Sequence, residues 1–499
     1  MKPAAFCQET ASTGMFILLT ALSSPIATAQ AAEAAPKPIF AENGPVCSWE
    51  SLTNVTLPNT TIDLVVTNAD GSCRVTATVT HPPTGDKVKA FIALPMNGWN
   101  GRFEGTGGGG FSGGSSSGLR GPVRQGYAAG ATDTGHEGMS GSFGLDTNGR
   151  LNWQSIEDNA YLGIHDMTIV GKALTKAFYG KEPRYSYFVG FSTGGRQGLM
   201  EAQRYPEDYN GIVSGCPAIN WPEMALASLW PQTVMAASSN RVSTAKLRAA
   251  TAAAIAACDV MDGVTDGLIE DPVRCTYDPK ALIGTEVGGS AFTEADADVI
   301  QKIWEGPRAQ DGTFLWYGLS RGADLSMLGG PRPFPIPMDW VRYFLVQDPK
   351  WDVSNLTPAE FERLFKQSVE EYGAVFGTDN PDLSRFRDHG GKIVITHGQA
   401  DQLIMTEGTV DYYKRVLQQM GGREKVMPFA RLFLIPALAT VTVASATAAL
   451  TQSFVGWKKA CHRKNSSTGS RTVGRGRCFH IPKWPDTKAP AALMTLIIL

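Results

Sequence analysis

The sequence predicts an α/β fold with a mostly parallel central sheet and a second, inserted domain, and three observations carry that expectation. Short β-rich runs alternate with a helical apolar period across residues 41–220, the alternation that builds parallel sheets from strand–helix–strand units. Over residues 221–386 the composition changes to Ala-rich helices, a Cys/Asp/Gly loop and Pro/Trp-rich coil. A buried-strand pattern then returns in Lys392-Ile-Val-Ile-Thr-His-Gly398, so the first domain resumes across 387–436. With 499 residues, 43% of them hydrophobic, the chain fills a substantial core. Its 45 basic and 47 acidic residues give a formal net charge of -2, which provides no basic footprint for nucleic acid or an anionic surface. Neutral or mildly charged small molecules suit this balance.

Residues 1–33 read as an export signal: Lys2 near the start, an apolar run over 15–22, and small residues in Ala27-Thr28-Ala29-Gln30-Ala31 where a signal peptidase cuts. A short buried helix is the alternative reading. Export implies a secreted or periplasmic protein, removes Cys7, and places the other thiols in an oxidising compartment. From Cys47 to Ala93 the pattern is β-rich, as in residues 76–81 and 90–94, and it leads into a glycine-dense stretch over 105–118. Glycine and serine richness marks linkers in general, but a linker rarely sits inside a core-forming region, so this stretch is read as a site-forming loop. A helical period over 162–179, a short buried strand over 185–189, a turn, helical composition over 196–205 and a further strand over 211–215 follow.

The turn reads Gly190-Phe191-Ser192-Thr193-Gly194-Gly195 and fits G-x-S-x-G. Between a strand and a helix this pattern resembles the nucleophile elbow of α/β-hydrolases, where the reversal is too tight for side chains at the glycine positions and the serine hydroxyl stands above the sheet. Ser192 is therefore the candidate nucleophile, and the Thr193 N–H, at the start of the helix, is a donor for the oxyanion formed on attack. The loop over 107–110 offers a second donor, assigned to Gly109. A serine needs a base and an orienting carboxylate. Asp401, just past the strand that ends at Gly398, is the candidate acid; its other reading is a cap on the following helix. His397 precedes that acid inside the strand and is read as structural.

At this point the residues resemble a known family. G-F-S-T-G-G-R-Q-G-L-M-E-A-Q-R-Y-P, with W-N-G-R-F-E-G-T-G-G-G-G-F-S-G, A-T-D-T-G-H and H-G-Q-A-D, is similar to the tannases and feruloyl esterases, across about Cys47 to Pro436. The resemblance implies an α/β-hydrolase core, a lid shaping a pocket for a small-molecule aromatic ester, and a structural Ca2+ in the lid. Three carboxylates in the Gly-punctuated run from Cys258 to Leu268 agree with such a hard-oxygen site. Carried over from the family, Asp259, Asp262 and Asp266 supply side chains and Val264 and Leu268 supply carbonyls; a solvated Asp/Gly turn is the alternative. Cys258 and Cys275 bracket the loop and are expected to pair, as are Cys47 and Cys73. Cys216 has no evident partner, and Cys461 and Cys478 fall in the tail.

Two departures from the family stand out. The cysteine that normally precedes the serine, and pairs with one beside the catalytic histidine, is Phe191 here. After Phe429-Ala-Arg-Leu-Phe433 and Pro436, where the family continues to Gly-His-Cys, this chain reads Ala437-Leu-Ala-Thr-Val-Thr-Val-Ala-Ser445 and has no histidine. A change of reading frame near Pro436 accounts for this. Leu438 to Ser445 can be encoded CTG GCC ACT GTA ACG GTG GCG TCG, which read two bases later gives Gly-His-Cys-Asn-Gly-Gly-Val. Residues 437–499 are thus an aberrant tail, and His462 and His480 within it inherit no catalytic role. A rival account makes residues 432–450 a membrane span. The expected function is an ester hydrolase of weak or no activity; the alternative is a catalytically dead aromatic-ligand-binding or membrane-anchored protein.

Overall fold

The computed structural model describes residues 36–436 and 497–498. The expected export signal and nearly all of the expected aberrant tail lie outside the described residues.

Ten strands form one sheet: β1 (Thr60–Thr67), β2 (Ser72–Val79), β3 (Val88–Pro95), β4 (Arg102–Thr106), β5 (Ala128–Thr132), β6 (Tyr185–Phe191), β7 (Gly211–Gly215), β8 (Lys392–Gly398), β9 (Ala430–Ile435) and β10 (Ile497–Ile498). They lie in the order β1-β2-β3-β5-β4-β6-β7-β8-β9-β10. Pairing is antiparallel from β1 to β5, parallel through β5-β4-β6-β7-β8-β9, and antiparallel again between β9 and β10. Every residue of β5 and β7 is buried, as expected of strands covered on both faces. This is the α/β arrangement the sequence predicted.

The strand order reverses once. From β4 the chain steps back to β5 and then returns to place β6 on the far side of β4. The connections leaving β4 and β6 therefore run to opposite sides, and the carboxyl ends of such strands are the usual ligand position in an open α/β sheet. The loop after β4 is the glycine-dense stretch, and the loop after β6 carries Ser192.

Helix α1 (Gly163–Tyr179) packs on β3 and β5, and α2 (Thr193–Arg204) packs on β6 and β7. The sequence placed α1 to within one residue. It started the second helix at Arg196, whereas α2 begins at Thr193, because the elbow glycines join the first turn instead of remaining a loop.

Between β7 and β8 the chain forms helices α3 (Thr244–Cys258), α4 (Glu294–Glu305) and α5 (Pro358–Phe376). They share an apolar core with Leu247, Ile300, Trp340, Phe344, Phe361 and Tyr372, distinct from the core under the sheet. Much of the Trp and Phe richness of this region is thus interior. Cys258 and Cys275 form the expected disulfide, with Cα atoms 5.6 Å apart. The expected Cys47–Cys73 bond is corrected: both thiols are free. Cys47 donates to the Ala177 carbonyl at 3.5 Å. Cys73 is enclosed within β2, where burial and the nearby Cys47 push its thiol up to about 11. Among the described residues no helix is long and apolar enough to cross a membrane.

Glu104 sits in the middle of β4, level with Ala129 of β5 and Tyr187 of β6. Burial raises its carboxyl from 4.5 to about 8. The folded chain therefore keeps a proton that the unfolded chain releases, so this group lowers stability as pH rises from about 4.5 to about 8, by at most about 1.4 kcal/mol per pH unit. Glu104→Gln is expected to remove that decline. Urea unfolding at a series of pH values checks it, and an unchanged slope in the variant contradicts it.

Candidate active site

The elbow is built where β6 meets α2. Ser192 takes φ 57 and ψ -118, a sparsely populated conformation that persists only where its surroundings enforce it. The surroundings are specific: the Ser192 N–H donates to the Gly215 carbonyl at 2.9 Å, and the Ser192 carbonyl accepts from Arg196 and Ala218 N–H at 3.0 and 3.1 Å. A Cβ on Gly195 would lie 2.6 Å from the Gly215 carbonyl oxygen, and one on Gly190 would press into the Gly194 carbonyl. Crowding, not a left-handed backbone, is what excludes side chains here. The Ser192 side chain remains half-buried.

The glycine-dense loop meets the same turn from the β4 side. Gly194 N–H donates to the Gly108 carbonyl at 3.0 Å, and the Thr193 hydroxyl donates to the Gly110 carbonyl at 2.6 Å. Gly109 is held between those two anchors, and the space where its Cβ would stand is open to 4 Å. Thr193 opens α2, so its N–H belongs to the first turn, where helical amides have no intrahelical acceptor. The structure thus brings Ser192, Thr193 and Gly109 together. Beyond the loop, Asn159 Nδ2 donates to the Phe111 carbonyl at 2.7 Å and to Thr134 Oγ1 at 3.0 Å.

Asp401 follows β8, two strands from β6, at the same edge of the sheet. It is buried, and its Oδ1 accepts the Leu403 and Ile404 N–H groups at 2.9 and 3.0 Å. It does not cap the following helix α6 (Thr406–Gln419), whose cap position is Met405. His397 lies fully buried beside it: Nε2 is 3.3 Å from Asp401 Oδ2, and Nδ1 is 2.8 Å from Thr409 Oγ1. Its burial and these contacts agree with the structural reading of His397. Cys216 closes the same corner, its Sγ accepting from Gly398 N–H at 3.5 Å; burial and the adjacent Asp401 hold its thiol well above the ordinary range.

Of the remaining described histidines, His81 and His165 contact Asp86 and Asp208, each at 2.7 Å, His136 stacks on Phe143, which packs on Phe111 after the glycine loop, and His389 is exposed. Residues 437–445, where the resemblance led to an expected histidine, lie outside the described residues. Two open grooves of about 530 and 540 Å³, lined by residues such as Arg74 and Phe91 or Met235 and Arg241, do not include Ser192.

In the Asp-rich loop Asp259 accepts the Asp266 and Gly267 N–H groups at 3.0 Å each. Asp262 and Asp266 are exposed and accept from the Val264 and Leu268 N–H groups. Burial, then the charges of Asp262 and Asp271, raise the nearby Glu270 carboxyl, and Arg274 lowers it. Glu270 was not singled out in the sequence, since only the denser Asp run marked the loop.

The sequence matches the family model "Tannase and feruloyl esterase" over residues 73–334 and 334–492. A probable feruloyl esterase of Arthroderma benhamiae is 40% identical over 397 residues, 76% of this chain and 72% of that protein. Feruloyl esterase B of Aspergillus niger is 31% identical over 374 residues, 73% of this chain and 69% of that protein. The crystal structure of feruloyl esterase B from Aspergillus oryzae is similar at TM-score 0.71 and 28% identity, covering 79% of this chain and 84% of that one. Tannin acyl hydrolase from Aspergillus niger shares the fold at TM-score 0.71 and 24% identity, covering 79% and 82%.

Two glycine substitutions test the packing of the elbow. Gly190→Ala is expected to cost about 2 kcal/mol or more, since backbone must move to admit the methyl group. Gly109→Ala, facing open space, is expected to stay within about 0.5 kcal/mol of the parent. Urea unfolding midpoints compare them, and equal losses contradict the packing described.

Proposed function

The chain belongs to the tannase and feruloyl esterase family, and from that premise we propose that it is a secreted serine esterase whose turnover is limited by the missing family histidine. It is a carboxylic ester hydrolase, and its substrates are aromatic esters. The finer reading is ours: Ser192 is the nucleophile, Asp401 the acid, Thr193 and Gly109 the oxyanion donors, and hydroxycinnamoyl or galloyl esters the substrates.

What supports this reading is the strained, half-buried Ser192 between β6 and α2, with the Gly108–Gly110 backbone bonded to Gly194 and Thr193 beside it. Attack of Oγ on an ester carbonyl forms a C–O bond and moves charge onto the carbonyl oxygen, where preorganised amides lower the barrier. The serine proton must leave during attack and reach the departing alcohol; water then releases the acyl group. In this reading Asp401 would orient a histidine that performs this transfer, and residues 437–445 contain none. Loss of one triad member lowers kcat by roughly 10⁴ to 10⁶ while the oxyanion donors retain a residual rate.

Hydrolysis of methyl ferulate and methyl gallate by the full chain tests this. Slow turnover that falls to background in Ser192→Ala is expected. Turnover unaffected by that substitution contradicts the reading, and tight aromatic-ester binding with no Ser192-dependent turnover favours the binding-protein alternative.

For the Asp-rich loop, the chemistry of the donors fits Ca2+: hard oxygens only, three of them on carboxylates close in sequence. Asp259, Asp262 and Asp266 with the Val264 and Leu268 carbonyls would hold the ion, which supplies charge neutralisation to the lid. EDTA is therefore expected to lower Tm by several degrees and added Ca2+ to restore it, with Asp262→Asn insensitive to both. A Tm unmoved by chelation in the parent chain contradicts the site.

A further inference from the structure

The two proposed oxyanion donors come from separate segments, Thr193 on α2 and Gly109 on the loop after β4. Their usefulness depends on a fixed separation, because a donor displaced by an ångström no longer meets the developing charge. Something must therefore lock loop to helix. One side chain does so at both ends of the loop. Gln197, on α2 one turn beyond the elbow, accepts the Gly108 N–H on Oε1 at 3.0 Å and donates from Nε2 to the Gly113 carbonyl at 3.1 Å. It is 1% exposed, so it does not itself meet a ligand. The loop comes close enough only because it is bare: a Cβ on Gly107 would lie 2.7 Å from Gln197 Oε1 and 2.5 Å from Gly194 Cα.

We propose that Gln197 is a positioning residue for ester hydrolysis, its amide clamping the Gly108–Gly113 loop to α2 so that the Gly109 and Thr193 amides converge above Ser192. The inference rests on the esterase reading above. It has a chemical signature. An amide bridges an N–H and a carbonyl because it both accepts and donates. A carboxylate in its place accepts only, whereas the protonated acid regains the donor.

Phenylboronic acid forms a B–O bond to a serine hydroxyl, whose proton passes to the buffer, and presents an anionic tetrahedral boronate, so its affinity, compared at one pH, reports on the donors. Its dissociation constant is measured calorimetrically on the full chain, on Ser192→Ala, on Gln197→Ala and on the near-isosteric Gln197→Glu, at pH 5 and pH 8, with each value referred to the parent at the same pH. Binding is expected to depend on Ser192, to weaken about tenfold or more in Gln197→Ala, and in Gln197→Glu to be weak at pH 8 and recover to within about threefold at pH 5. If both Gln197 variants bind like the parent while Ser192→Ala does not, the clamp is wrong and the esterase reading survives. A Gln197→Glu loss equal at the two pH values likewise overturns the clamp. If Ser192→Ala binds as the parent does, the esterase reading fails and the clamp falls with it.

Discussion

The structure depends on one crowded crossing, where the loop leaving β4 lies backbone to backbone against the turn leaving β6. Gly107 and Gly108 meet Gly194 with no side chain between them, and the strand order reverses at this same point. Close approach accompanies a Ser192 conformation that side-chain-bearing residues rarely adopt, and it brings backbone from two distant parts of the sequence against one turn. Such strain is tolerated because β7, the Ala218 amide and the first turn of α2 all bond to the elbow backbone.

Behind the elbow the protein buries a charge with no opposite charge to meet it. Arg196 is 1% exposed and makes no ion pair among the described residues. Its guanidinium donates to the Ala160 and Asn159 carbonyls, lies 5.2 Å from the Phe376 ring and 5.9 Å from Trp221, and is drawn down to about 9 by burial. Carbonyl dipoles and ring faces hold a guanidinium where an ion pair would carry its own desolvation cost. The same Asn159 that receives Arg196 also anchors Phe111 at the exit of the glycine loop. Helix, loop and the start of the inserted region are thereby joined through a single buried network.

How much of this was legible in the sequence follows from what each residue depends on. Ser192, Thr193 and the glycines of the elbow were readable because strand, turn and helix are consecutive and their sterics are local. That the Gly109 loop meets the elbow, and that Asp401 follows the strand two places away, was readable from a loop and a strand end once the motif supplied the frame. Gln197 and Asn159 were not: their partners lie 84 to 89 and 48 residues away, and a buried amide looks in sequence like any helical polar residue. The Cys47–Cys73 expectation failed for a related reason. Compartment and number of cysteines argue for pairing, but which thiols bond is decided by strand register, and Cys73 is held between β1 and β3.

The most direct test of the central claim is a crystal structure of the full chain soaked with an arylboronic acid. A tetrahedral adduct on Ser192 Oγ, with one boronate oxygen within hydrogen-bonding distance of both the Thr193 and Gly109 amides, is the predicted result. An adduct whose oxygens avoid those two amides, or a ligand bound away from Ser192, would contradict the account.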